Sequence, residues 1–381
     1  MDHRKGQATA SAGLETRGAD HPIYVTRTFL PPREEYDHWL DQVYNSHQLT
    51  NNGPIHKLLE ETLRDRFQVP HLRLMANGTL ALQLAIRALE VTGEVITTPF
   101  SYVATTSAIL WEGCKPVFVD IDPKTCCIDP NLIEAAITPR TSAILATHVY
   151  GIPCDVEAID AIAKKHGLKV IYDAAHAFDV QYKGKSILQW GDASTLSFHA
   201  TKLFHTVEGG AVVVHDAETD HRVRLLRSFG HIGDEHFALG MNAKMSELHA
   251  AMGMAVLPHV PHHIARRAEL VHTYDELLGT QVGRPRPNAV VAYNYAYYPI
   301  VLRSPEEREA VLHTLAEAGI HGRRYFFPSL DRLPYIQAVP CPVSNDMSMR
   351  TLCLPLYPEL GKAQIEQIAH IVRTAMGEPG M

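Results

Sequence analysis

The sequence carries no long basic stripe. Its 35 Lys and Arg stand against 42 Asp and Glu, and this mildly acidic balance argues against nucleic acid or anionic lipid as a partner. The six cysteines, Cys114, Cys126, Cys127, Cys154, Cys341 and Cys353, have no paired CxxC spacing, which leaves reduced thiols in the cytoplasm as the plain reading. Histidine is plentiful, at 23 residues, yet the adjacent His262 and His263 lack a second pair at ligand spacing, so no metal is expected. Residues 1–21 contain no apolar run of the signal-peptide kind, and a disordered tail is expected there. The segment Thr79–Leu89 is apolar nearly all round but too short to span a bilayer, so it reads as a helix buried against a sheet and no membrane partner is expected. Internal repeats and low-complexity blocks are also missing, which excludes solenoids and propellers.

What remains is an ordinary core-forming composition, 46% hydrophobic and 20% charged over 381 residues, long enough for two domains. Apolar residues Ile55, Leu58, Leu59, Leu63 and Phe67 recur at helical spacing after Pro54, with Asn52 and Gly53 available as caps. Short β-branched runs follow at 94–97, 116–119, 142–146 and 168–172, separated by helical stretches such as 157–165, which Gly167 closes. Such alternation predicts a mainly parallel α/β sheet. Two further strands, 193–198 and 210–215, are joined by a short connection that implies a local reversal. A helix over 243–257 with Asn242 as its cap ends this half. Pro258 and Pro261 mark a domain boundary, giving a large α/β domain over 22–257 and a smaller α+β domain over 258–381. Within the latter we expect a strand-like run over 289–302 and helices near 306–318 and 362–376.

In open parallel sheets ligands bind beyond the carboxyl ends of the strands. Asn77, Gly78 and Thr79 precede the buried helix and suit either a capped turn or a phosphate cradle. Asp173 ends the run Lys169-Val-Ile-Tyr-Asp, where a buried carboxylate needs a strong partner. A protonated pyridine nitrogen, a cap or a salt bridge would each serve. His176 follows three residues later and is read as either structural or ring-contacting. Lys202 lies just after an apolar strand, where burial can lower its pKa and make the amine nucleophilic. A phosphate cradle, an acid at a strand end and a lysine after a later strand are together what a pyridoxal phosphate (PLP) enzyme must supply.

These residues stand in a series of longer motifs: LTNNGP from Leu49, NGTLALQLA from Asn77, TTPFSYVAT from Thr97, PVFVDID from Pro116, YDAAHAF from Tyr172, SFHATK from Ser197, EGG from Glu208 and GMNAKMSEL from Gly240. The chain thereby resembles the DegT/DnrJ/EryC1/StrS family of nucleotide-sugar aminotransferases from about Tyr24 to the last helix. The resemblance implies the aspartate-aminotransferase-like fold (fold type I). It also implies that Lys202 holds PLP as a Schiff base and later moves the proton, that Asp173 pairs with the pyridine nitrogen and that Tyr102 stacks on the ring. Gly78, Thr79 and Ser197 would hold the phosphate, His176 would sit beside the ring, and Asn242 would reach the phosphate of the neighbouring subunit, making a homodimer obligatory. The implied cycle is ping-pong, with L-glutamate leaving pyridoxamine phosphate and a dTDP-4-keto-6-deoxy sugar taking the amine to give dTDP-4-amino-4,6-dideoxyglucose.

Tyr325 and Arg324, in GRRYFFP, are candidates for the sugar-nucleotide cleft. Amination of a 3-keto or GDP-linked sugar, or another PLP reaction such as dehydration or decarboxylation, stays open at this point. A sugar-sensing regulatory protein without turnover is the alternative of another class.

Overall fold

The computed structural model describes residues 22–377; the tail expected over 1–21 lies outside them. Seven strands form the main sheet: β1 (His71–Met75), β2 (Glu94–Thr97), β3 (Lys115–Phe118), β4 (Thr141–Thr147), β5 (Lys169–Asp173), β6 (Ala193–Ser197) and β7 (Gly210–Val214). Their spatial order is β1-β7-β6-β5-β4-β2-β3. β7 runs against its neighbours, pairing antiparallel with both β1 and β6, while the other pairs are parallel.

The strands are apolar on both faces because both are covered. Val95, Leu145, Ile171 and Val212 enter one apolar cluster, whereas Ile96, Ile144, Tyr172 and Val213 enter the other, which is the two-residue alternation of a pleated strand. Helices α1 (Arg33–Ser46) and α2 (Pro54–Phe67) pack on one side, and α3 (Gly78–Ala88) and α4 (Val103–Trp111) on the other. The helix expected over 157–165 is α5 (Val156–His166); the Asp155 side chain caps its start, and Gly167 closes it in the left-handed conformation.

Two details depart from the sequence expectations, and a third gives the course of the chain at the expected domain boundary. Helix α6 spans Glu247–Val256 with Ser246 as its cap, not 243–257 capped by Asn242. The residues before it are drawn into backbone pairing instead: Asn242 bridges Ser228, and Ala243 donates to Arg227 O at 3.1 Å and accepts from Ala76 N at 2.7 Å. At Pro258 and Pro261 the chain does not break; a single 3₁₀ turn leads into α7 (Val260–Leu278), because proline in a first helical turn forfeits no hydrogen bond. Finally, only Val291–Ala292 and β8 (Tyr298–Val301) of the run 289–302 are strand.

β8 pairs antiparallel with β9 (Thr351–Leu354). Together with the second half of α7, α8 (Pro305–Glu317) and α9 (Lys362–Ala375), these strands enclose a third apolar cluster running from Leu270 to Met376. Tyr325 and Phe326 are the exceptions that matter for the site, since they pack into the first cluster. The described residues contain no helix long and apolar enough to cross a membrane, and no three His, Cys, Asp or Glu grouped to hold a metal ion.

Candidate active site

A cavity of about 220 Å³ opens where the carboxyl ends of the parallel strands meet α3, α4 and the segment 323–326. One end is formed by the start of α3. Asn77 caps it, its side-chain oxygen accepting from Leu80 N at 2.9 Å, which leaves first-turn N–H groups facing the cavity as anion donors. Ser197, at the end of β6, lies against this turn so closely that a Cβ on Gly78 would stand 2.8 Å from the Ser197 Cβ. Gly210 shares the constraint, since a Cβ there would meet Asn77 C and O at 2.7 Å. These two glycines therefore let the helix start and the β6–β7 reversal close on each other.

Asp173 ends β5 and is buried. Its Oδ2 accepts from Thr105 Oγ1 at 2.7 Å and its Oδ1 from Ala175 N at 3.1 Å. Behind Thr105 the hydroxyls continue: Ser101 Oγ lies 2.8 Å from Thr105 Oγ1 and 2.9 Å from Thr147 Oγ1. Burial raises the carboxyl above its ordinary value, against the opposing pull of Thr105, Ala175 N and the Lys202 charge. Sequence reasoning missed this relay. Its only local signal is the run of small hydroxylated residues after β2, in TTPFSYVAT.

Lys202 lies in the excursion between β6 and β7 and lines the same cavity. Burial pushes its ammonium down to about 8, the Arg323 charge adding to the effect and Asp173 opposing it. About a tenth of the amine is therefore unprotonated at pH 7, far more than for an ordinary lysine. His176 is buried, and burial, helped by Lys202 and Arg323, holds it well below its usual pKa. Its ring stacks on Phe326 with centroids 5.7 Å apart and planes 5° apart, and its Nδ1 is buried without a partner. Tyr102, at the start of α4, keeps half its surface exposed while lining the cavity.

The cavity thus gathers Gly78, Thr79, Tyr102, Asp173, His176, Ser197, Lys202 and Tyr325. Two expected residues are not among its lining. Asn242 is exposed and its side-chain oxygen accepts from Lys244 Nζ at 2.8 Å. Arg324 lies over the Phe327 ring at 4.1 Å and 3.7 Å from Glu309, whereas Arg323, which sequence reasoning passed over, lines the cavity. The cause is local: Arg323 is held extended by its bridge to Cys353, and in extended backbone successive side chains leave on opposite sides, so Arg324 turns away from the cavity that Arg323 lines.

The model of the DegT/DnrJ/EryC1/StrS aminotransferase family matches residues 32–373. The chain belongs to that family. A dTDP-4-amino-4,6-dideoxy-D-glucose transaminase of Shigella dysenteriae is 43% identical over 363 residues, covering 93% of this chain and 99% of its own length. Among solved structures, DesI in the presence of its TDP-sugar product superposes with a TM-score of 0.89 at 36% identity, over 94% of this chain and 93% of that one. DesV of S. venezuelae, in complex with a ketimine intermediate, gives a TM-score of 0.85 at 28% identity, over 91% and 95% of the two chains. This family member is accordingly an aminotransferase of the PLP-dependent fold type I group.

Proposed function

We propose that the enzyme transfers the amino group of L-glutamate to C4 of a dTDP-linked 4-keto-6-deoxyhexose, giving dTDP-4-amino-4,6-dideoxyglucose, with PLP as its cofactor. The observation that carries the reading is the meeting of three groups in one cavity: a buried Asp173 whose partners are a hydroxyl and an amide rather than a cation, an amine at Lys202 held near pKa 8, and a glycine-shaped anion cradle at α3. A buried carboxylate without a cation requires a positive partner, and a protonated pyridine supplies one; the cradle suits a phosphate. The residues therefore fit the cofactor. The sugar assignment is supported by the 43% identity to the Shigella enzyme.

Bound PLP would supply an electron sink for the carbon that carries the amine. Gly78, Thr79 and Ser197 would hold its phosphate, Asp173 its ring nitrogen, Tyr102 one face, and His176 the flank. Lys202 Nζ takes the proton from the α-carbon of glutamate, and in the second half delivers one to C4 of the sugar. Its depressed pKa leaves the amine free to accept that proton. Thr105 keeps the Asp173 carboxylate aimed and ionised throughout.

Assembly as a homodimer, with Asn242 reaching the phosphate held by the partner subunit, gives a role to an exposed side chain that its own cavity does not use. We further assign residues 22–257 to a large cofactor domain and 258–381 to a small domain, with the cavity between them, and assign the enzyme to the cytoplasm, where its six buried free cysteines stay reduced. The test is a visible absorbance spectrum of purified protein loaded with PLP. Glutamate should bleach the long-wavelength band, and dTDP-4-keto-6-deoxyglucose should restore it. A protein that neither binds PLP nor changes with glutamate would refute the reading.

A further inference from the structure

The segment that carries Tyr325 and Phe326 onto the cavity wall is anchored at its two ends. Arg323 exchanges both main-chain bonds with Cys353, at 3.0 and 2.8 Å, and Leu330 N donates to Pro99 O at 2.9 Å. Between them, among the described residues, a single hydrogen bond reaches the main chain of 324–328: the Tyr150 hydroxyl donates to Tyr325 O. Tyr150 is fully buried and is not itself part of the cavity lining. Burial holds its phenol well above the ordinary pKa, so it stays a donor. Its ring lies parallel to that of Phe326, with centroids 6.0 Å and planes 4° apart, an offset stack. Phe326 is in turn parallel to the His176 ring. One side chain of the large domain thus meets both aromatic residues of the wall.

Tyr150 stands three residues beyond Thr147, the end of β4, in left-handed backbone with φ 57° and ψ 11°. A bulky residue adopts that conformation only where its surroundings impose it, and several groups do so. Tyr293 donates its hydroxyl to Tyr150 O at 2.8 Å. A Cβ on Gly151 would stand 2.6 Å from His176 O and 2.7 Å from Asn294 Oδ1, while Asn294 Nδ2 donates to His176 O at 2.8 Å and to Phe178 O at 2.9 Å. The turn is therefore wedged between the loop that bears His176 and the run 293–296, which leaves the phenol little freedom.

We propose that Tyr150 is a positioning residue for the acceptor substrate: its hydroxyl fixes the main chain at Tyr325, its ring fixes the plane of Phe326, and the wall so held receives the nucleotide sugar. This inference rests on the aminotransferase reading of the site. Of the two substrates the nucleotide sugar is the larger, and while its carbonyl carbon meets Lys202 the rest of it must lie along the cleft. Glutamate has only its own short chain to place. A wall that shifts therefore weakens the hold on the sugar more than on glutamate.

The experiment compares the PLP-loaded wild type with Tyr150→Phe, which keeps the ring and removes the hydroxyl, in separate half-reactions followed by absorbance. The concentration of dTDP-4-keto-6-deoxyglucose giving half-maximal rate should rise about 2- to 10-fold, the span of one net hydrogen bond, with little change in the limiting rate or in the glutamate dependence. Calorimetric affinity for dTDP-glucose, which has no keto group to react, should fall by the same factor. Tyr293→Phe is the control, since it deletes a hydrogen bond of the same turn and leaves the Tyr150 hydroxyl in place. Urea unfolding should show similar losses of stability in the two variants, with the sugar dependence altered only in Tyr150→Phe. Unaltered sugar dependence and dTDP-glucose affinity in Tyr150→Phe overturn the proposal, and so does an equal kinetic effect of the two variants, which would leave Tyr150 a purely structural residue. A wild type that does not react with glutamate would instead remove the aminotransferase reading, and the proposal with it.

Discussion

Thr105→Val removes one hydroxyl from beneath the cofactor site and leaves the side chain's shape unchanged. The deleted bond is the 2.7 Å donation from Thr105 Oγ1 to Asp173 Oδ2. Hydrogen bonds to a charged group contribute about 1.5–3 kcal/mol. The lower end applies here, because Ala175 N still donates to Oδ1 at 3.1 Å and Ser101 keeps Thr147 at 2.9 Å. At about 1.4 kcal/mol per factor of ten, the glutamate half-reaction should slow about tenfold. Its pH profile should change as well. Thr105 lowers the Asp173 pKa against the dominant effect of burial, so its removal raises that pKa and moves the acid limb to higher pH. Stopped-flow bleaching by glutamate as a function of pH measures both effects, and Thr105→Ser should restore them. A Thr105→Val enzyme that folds, holds PLP and shows neither the slower rate nor the displaced limb would refute the claim that the hydroxyl relay keeps Asp173 ionised.

The start of α2 offers a stability test, since the buried Glu247 carboxylate accepts from Ile55 N at 2.8 Å and His56 N at 3.0 Å. Glu247→Gln keeps one acceptor and loses the charge, and urea unfolding should report a loss of about 1–2 kcal/mol. Gly78→Ala puts a Cβ 2.8 Å from that of Ser197; overpacking of this kind costs about 1–3 kcal/mol, and equilibrium dialysis should show weaker PLP retention. Burial holds His56 at about 4 and His148 at about 3, below the unfolded value near 6.5. Their stabilisation is therefore complete above about pH 6.5 and is lost as pH falls through those folded values. The thermal midpoint should drop from pH 7 toward pH 4, and less steeply in His56→Leu.

Much of this architecture is legible in the sequence because it is local. Strand runs such as Lys169–Asp173 are apolar on both faces, Asn77 caps the helix that begins beside it, and Lys202 follows directly on the strand that delivers it. The order of cradle, acid and lysine along the chain is enough to point to the chemistry. What escapes the sequence depends on distant partners. Ser101 and Thr147 are 46 residues apart and Thr105 and Asp173 are 68 apart, so nothing local marks them as one relay. The acceptor for the start of α2 likewise comes from Glu247, 192 residues beyond Ile55, rather than from Asn52. The sequence points to Arg324 where the structure sets Arg323 on the cavity, because composition does not say which of two adjacent arginines turns inward; one residue of register exchanges the two sides of an extended segment. Asn242 suits a cap by its residue type, but the backbone around it is already committed to Ser228 and Arg227.

The excursion that bears Lys202 is closed at its base. Phe198 N donates to Gly209 O at 2.8 Å, Thr206 N donates to Phe198 O at 2.9 Å, and the β6–β7 ladder begins at once with Ser197 opposite Gly210. Residues 199–202 thus form a short cassette between the strands, while Leu203, Phe204 and His205 are buried and tie the rest of the excursion to the core. Because the acid, the anion cradle and the aromatic wall are all anchored outside the cassette, the scaffold separates where a ring is held from what reacts with it. A designer seeking new chemistry on this frame would recode those few residues and leave the sheet alone.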